Sequence, residues 1–170
     1  MFLNRTEEAP QQTLHTIPSG AEGVRVTLNE MRRLVREYKK HDSIRSLAAD
    51  IVSPLNQKNF MGEIKRIHAY VRDNIRYLRD IHGVETLQSP PETLRRGYGD
   101  CDDKATLAAT LLAAIGHPSR FVAIGKAPGK FSHVYVETRI GPRWISLETT
   151  EPVDVGWSPS GVLARMVAHN

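Results

Sequence analysis

The chain has 170 residues, of which 40% are hydrophobic and 25% charged; that is material for one globular domain and excludes a disordered or fibrous chain. No apolar run approaches the roughly 18 residues of a membrane span, and the net charge of +4 from 23 basic and 19 acidic residues is too modest to name a partner. The single cysteine excludes an internal disulfide and a CxxC zinc site, leaving a thiol that is either an inert core residue or a reactive group.

Residues from Met1 to about Gly23 carry Pro10, Pro18 and Gly20 among polar residues and read as an extended arm. The arm has no basic-then-apolar leader layout and no lipidation motif, so no signal peptide is expected. Leu28, Met31, Leu34, Val35 and Tyr38 then recur at helical spacing from Thr27 to about Lys40, with Thr27 and Glu30 placed for a capping box. Arg25, Arg32, Arg33, Arg36, Lys39, Lys40 and Arg45 make this region basic. No aromatic residues interleave with them, so a solvated face is expected and nucleic-acid binding is not. A second helix carries Ile44, Leu47, Ala48, Ile51 and Val52 and ends at Ser53-Pro54. A third runs from about Asn59 to Tyr77, with Ile64, Ile67, His68, Val71 and Ile75 in one stripe.

From Arg79 to Gly99, Gly83, Ser89-Pro90-Pro91, Gly97 and Gly99 read as loop. A strongly apolar helix starts near Cys101 and ends at Ile115, with Gly116 at C′ and Pro118 as its stop. The period then changes. Arg120–Ile124, Ser132–Arg139 and Arg143–Leu147 are short strands separated by Gly125–Gly129 and Gly141-Pro142. The first connection resembles a phosphate loop only superficially: it is one residue short, and Phe131 stands where Ser or Thr belongs. It reads as a hairpin link at the mouth of a site. Helices followed by an antiparallel sheet predict an α+β fold.

The most informative stretch is Gly97–Ala105, where glycines lead into the first turn of a helix and the lone cysteine sits at the junction. Free N–H groups and the helix dipole there favour negative charge, which predicts a lowered thiol pKa. His133 lies on a strand, and Glu148 ends the next one. A hairpin turning at Gly141-Pro142 sets the two nearly opposite each other. Each residue alone has a plain reading: a buried thiol, a strand histidine, a solvated carboxylate. Together they have the residue types a thiol nucleophile needs, a base and a group to orient it. Asp100, Asp102 and Asp103 have the chemistry to bind Ca²⁺, but acids at a helix start also complement its dipole, and that reading is preferred. His68, His82 and His117 lie on different elements without ligand spacing, so packing or surface roles are expected. Trp144 and Trp157 read as core and edge aromatics.

Gly99–Ala105, Ile115–Val122, His133-Val134 and Trp144–Glu148 resemble the transglutaminase-like superfamily, in which Cys begins a helix, His lies on a strand and an acid on the next. The resemblance covers about Glu63 to Thr150. With Arg76-Tyr77 and Val84–Pro90 ahead of the cysteine, this version resembles the small members encoded by phages and prophages. One departure is Glu148, where the family usually has Asp; Asp154, beyond Pro152, is the alternative third member. The resemblance implies a papain-like core at 59–170, its catalytic helix packed on an antiparallel sheet, behind an arm at 1–23 and a helical extension at 24–58. It would also place Trp144 close to the catalytic strand.

It further implies peptidase or amidase chemistry. Cys101 would attack an amide carbonyl to give a thioester, His133 would protonate the departing amine and then activate water, and Glu148 would hold the ring. The Cys101 N–H and one upstream donor would bind the oxyanion; Gln88 is the candidate, with Tyr77 and Tyr98 as alternatives. Cross-linking is less expected without the extra β domains of large cross-linking enzymes. No cofactor is expected, calcium being the one that some bacterial relatives suggest. Expected partners are a protein or peptide substrate and phage structural proteins, with no membrane, in a cytoplasmic or virion-associated setting. Two other classes share the pattern. A virion or assembly module could keep the fold without catalysis, and a thiol acyltransferase would need a deep apolar donor pocket.

Overall fold

The computed structural model describes residues 20–79 and 86–170. In chain order these form α1 (Gly20–Tyr38), α2 (Asp42–Val52), α3 (Phe60–Asn74), β1 (Arg76–Tyr77), α4 (Pro90–Arg96), β2 (Tyr98–Gly99), α5 (Cys101–Ala114), β3 (Ser119–Gly125), β4 (His133–Ile140), β5 (Arg143–Leu147) and β6 (Ala164–His169). The arm up to residue 19, His82 and the Val84-Glu85 pair lie outside the described residues.

The fold is organised around α5. Every residue from Asp103 to Leu112 is buried, which is what a helix apolar on all sides requires. Helices α1, α2, α3 and α4 all pack against it, and its other side lies on β3 and β4. One core therefore joins Met31, Ile44, Ile64, Ile67, Leu107, Leu111, Phe121 and Val136, each large aliphatic side chain contributing about 1.5–3 kcal/mol on full burial. The segment 24–58 supplies Leu28, Met31, Val35, Ile44, Ala48 and Ile51 to that core.

The sheet is antiparallel in the order β5-β4-β3-β6. The three strands expected from the sequence are present within a residue or so, and β6 joins them at the free edge of β3. Gly125 permits the β3–β4 hairpin, because a Cβ there would sit 1.5 Å from the Lys130 carbonyl oxygen.

Two local expectations are corrected. Helix α1 starts at Gly20, so Thr27 lies inside it and its hydroxyl donates to the Gly23 carbonyl at 3.2 Å; no capping box forms with Glu30. Buried Gly23 shows why: tertiary packing overrides the weak helix propensity of glycine. The stretch from Arg79 to Gly99 is not all loop, since Ser89-Pro90-Pro91 starts α4 with proline in its first turn, where no N–H partner is lost. Trp144 lies beside the strand that carries His133, as the resemblance implies: it pairs with Arg139 near the far end of β4, 4.0 Å from the Arg120 guanidinium. The basic face of α1 is solvated as expected, with Arg33 paired to Glu30 and Glu37.

Candidate active site

The thiol is set by the cap of α5. Asp100 is the N-cap and accepts from the Asp102 and Asp103 N–H groups at 2.9 and 3.1 Å, while Asp103 accepts from the Asp100 N–H at 3.2 Å. This reciprocal box satisfies N–H groups that a helix start leaves open. The second Asp103 oxygen accepts from the Gln88 N–H at 2.7 Å, tying the upstream loop to the helix. Gly99 makes room for it: a Cβ there would lie 2.6 Å from the Asp103 Cβ. The acids thus serve the cap, and among the described residues no group of three His, Cys, Asp or Glu could hold a metal.

Cys101 is half-buried at the first position of α5. Burial, Asp102 and Asp100 push its thiol up in pKa, against a hydrogen bond from the Val134 backbone N–H. The thiol donates to Asp102 Oδ1 at 3.6 Å. The lowered pKa expected from the helix dipole is therefore overturned: burial and the carboxylates of Asp102 and Asp100 outweigh the dipole. In this state the sulfur holds its proton.

His133 opens β4, next to the residue that meets the sulfur. Its Nε2 donates to Glu148 Oε2 at 2.5 Å. The register differs from the expected one by one residue. Val136 pairs with Leu147, so Glu148 falls opposite Tyr135 and diagonal to His133. Glu148 is fully buried, and its Oε1 accepts from the Thr150 N–H and hydroxyl at 2.8 and 2.7 Å. Burial alone would raise its carboxyl; the bond from His133 and those from Thr150 outweigh it and bring it below the usual range. With Nε2 committed, Nδ1 is the ring nitrogen that can accept a proton.

Two buried polar residues complete this side of the core: His68, which has the packing role expected of it, and Lys104, which escaped the sequence reading. His68, buried on α3, donates from Nε2 to the Glu148 carbonyl at 2.5 Å, and burial lowers its pKa, so it stays neutral. Lys104, 1% exposed on α5, donates to the Ile75 carbonyl and to that of Arg72 at 3.3 Å. Each sits in an apolar stripe: His68 beside Ile64 and Val71, Lys104 beside Leu107 and Leu111. A polar residue on a buried stripe is the signal that could have found Lys104.

The other named residues separate clearly. Gln88 is buried, with its side-chain oxygen lacking a partner among the described residues. Tyr77 lies within electrostatic reach of Cys101. Tyr98 lies under the Arg96 guanidinium. Asp154 is fully exposed and 3.9 Å from Arg72, so it does not take the place of Glu148. His117 pairs with Glu63 at 2.6 Å. A cleft of about 370 Å³ runs beside the site between Tyr77, Lys104 and Thr149–Pro152.

The transglutaminase-like superfamily matches residues 45–149 of the chain. No curated protein matches it. Among solved structures, a proposed cysteine protease from Cytophaga hutchinsonii is 20% identical with a TM-score of 0.56, over 83% of this chain and 52% of that protein. A proposed protease from Parabacteroides distasonis is 17% identical with a TM-score of 0.64, over 96% of this chain and 34% of its own. Calcium-bound LapG of Legionella pneumophila is 19% identical with a TM-score of 0.52, over 73% of each chain. The chain thus spans about half the length of the first and a third of the second. The likeness carries the fold. No described helix is long and apolar enough to cross a membrane.

Proposed function

Because the chain belongs to the transglutaminase-like superfamily, we propose that it is a cysteine peptidase or amidase whose nucleophile is Cys101, whose base is His133 and whose orienting acid is Glu148. The observation that carries this reading is the bond between His133 Nε2 and the buried Glu148 carboxylate, made at the start of the strand whose backbone meets the Cys101 sulfur. A carboxylate that fixes one imidazole nitrogen selects the tautomer whose other nitrogen is a base.

The raised thiol pKa decides the order of proton movements. Cys101 enters the reaction protonated, so Nδ1 of His133 removes its proton as sulfur attacks the carbonyl carbon of the substrate. The new C–S bond places the electron pair on oxygen, where the Cys101 N–H and Gln88 would receive it. Collapse breaks the C–N bond, and His133 gives its proton to the departing amine. Water then attacks the thioester with His133 again as base, releasing the carboxylic acid and the thiol. Glu148 stays ionised throughout and favours the imidazolium of each step. The substrate class is a protein or peptide.

The test is a peptide library incubated with the wild type and Cys101→Ser, with products and protein adducts read by mass spectrometry. New amino termini and an acyl adduct on Cys101 in the wild type alone support the reading. Cleavage by Cys101→Ser, or absence of both cleavage and adduct, overturns it and leaves the fold as a binding module.

A further inference from the structure

Strand β1 runs beside the approach to the thiol. It pairs in parallel with β2, and Tyr77 stands opposite Gly99, which precedes the N-cap of α5. The pair is held by the Arg76 and Leu78 N–H groups, which donate to the Gly97 and Gly99 carbonyls, each at 2.9 Å. Peptide groups alternate in direction along a strand, so the N–H and C=O of Tyr77, between those two donors, point to the opposite edge. Among the described residues no strand pairs with that edge. Parallel strands are normally covered, and an open edge is a template for another chain. The cleft of about 370 Å³ follows this edge: Ile75, Arg76 and Tyr77 all line it, whereas neither residue of β2 does. Successive side chains of an extended segment turn to opposite faces, so a cavity that meets all three lies along the strand's edge and not over one face. Its other wall is Thr149–Pro152, the segment that follows Glu148.

We propose that the free edge of β1 binds the substrate: an extended peptide segment enters the cleft as a third strand, accepting from the Tyr77 N–H and donating to the Tyr77 carbonyl. The inference deepens the proposed peptidase reading and rests on Cys101 being the nucleophile. Both walls of the cleft lead to that site. Residues opposite each other in a sheet share a face, and Gly99 faces the first turn of α5, where a Cβ would lie 2.6 Å from the Asp103 Cβ. The exposed Tyr77 side chain is therefore turned toward the end of α5 that Cys101 opens. On the facing wall, Thr150 holds Glu148 Oε1 through its N–H and hydroxyl. A strand laid between the walls has the thiol's helix on one side and the segment carrying the orienting acid on the other. Strand addition draws its affinity from main-chain bonds. The substrate class narrows accordingly to an amide within an extended backbone, as against a small amide or the side-chain amide of a glutamine.

The experiment compares the rates at which acetyl-Ala-Ala-Ala chloromethyl ketone and acetyl-Ala chloromethyl ketone alkylate Cys101. The sulfur displaces chloride from the same reactive carbon in both, so the ratio of the two rates reports contact with the added main chain. Alanine suffices, because the hydrogen bonds of a strand are common to every sequence. The tripeptide is expected to react about tenfold faster, the effect of two hydrogen bonds of ordinary net strength. Tyr77→Pro removes the donor at an edge position where a strand accepts proline, and Tyr77→Ala keeps it. The ratio should be about three- to tenfold lower in Tyr77→Pro than in Tyr77→Ala. Equal ratios in the two variants, or no advantage of the tripeptide in the wild type, overturn the inference. His133→Ala separates this from the larger reading. If His133→Ala leaves the rate of alkylation by iodoacetamide unchanged, the assignment of the site fails; if it alters that rate while the tripeptide has no advantage, only the inference fails. Should Tyr77→Pro not fold, the wild type decides with reagents in which each peptide N–H of the tripeptide is replaced in turn by an ester oxygen. One replacement at least must slow labelling about three- to tenfold, and rates equal to the parent for all of them overturn the inference.

Discussion

Glu148 stands diagonal to His133 across two strands, and still its Oε2 lies 2.5 Å from the ring Nε2. Diagonal neighbours in an antiparallel pair are about 7–8 Å apart at the backbone, so the extra methylene of glutamate spans a gap that aspartate would leave open. Glu148→Asp is expected to lower the rate constant for Cys101-dependent hydrolysis by about 10–100-fold, the scale of a misplacement near 1 Å. Turnover of a peptide found in the library screen measures it. Full activity in that variant would show that reach is not what makes the pair.

Asp102 holds the proton on the thiol, accepting from it at 3.6 Å and, after burial, raising its pKa more than any other neighbour. Asp102→Asn removes that charge. Iodoacetamide should then label Cys101 roughly tenfold faster at pH 7, as a fall of about one pKa unit implies. A slower or unchanged rate counts against this account of the thiol.

The raised thiol pKa also fixes a sign for stability. The folded chain keeps a proton that the unfolded chain releases near the ordinary thiol value of 9.0. Stability from this source is complete below that pH and is lost as pH rises above it. Lys104 works the other way, since its lowered pKa adds stability as pH rises through about 8, but it is present in both members of the comparison. The melting temperature of the wild type relative to Cys101→Ser should therefore fall between about pH 8 and about pH 10. Parallel curves would show an ordinary thiol.

Asp103 joins the α5 cap to Gln88. Asp103→Ala should cost about 1–2 kcal/mol for the cap and about 1–3 kcal/mol more for buried N–H groups left without an acceptor, read from urea unfolding. Rescue toward wild type by Asp103→Asn, which keeps one acceptor oxygen, is the matching control.

Chelation should change nothing. The oxygens of Asp100 and Asp103 accept from backbone N–H groups, so stripping calcium with EGTA is expected to leave the melting temperature and the alkylation rate unaltered. A drop of several degrees on EGTA treatment, reversed by calcium, would refute this.

The strands of the sheet and the boundaries of α5 were legible because period and punctuation agree there, from Cys101 to Gly116 and from Ser119 to Leu147. Residues His133 and Glu148 were legible as a pair because hairpin geometry limits how far apart they can fall, although the register differs by one. The start of α1 was not legible, since Gly20 and Gly23 read as chain breakers until the core that buries Gly23 is known. Helix α4 is too short for a period to show. The partners of Lys104 and His68 were hidden for a different reason: Lys104 meets the Arg72 and Ile75 carbonyls, 32 and 29 positions away, and His68 the Glu148 carbonyl, 80 positions away, and no local pattern encodes those meetings. The thiol pKa was misjudged because the sequence shows the dipole but not the dryness.

The chain has one sulfhydryl, and it opens the helix on which every other described helix rests. A thiol reagent therefore reports from one address. Slow labelling under native conditions counts the moments when the first turn of α5 opens, and labelling in denaturant counts whole-molecule excursions. The ratio of the two rates would place that turn on the ladder between local fraying and global unfolding, using the protein's own sulfur as the clock.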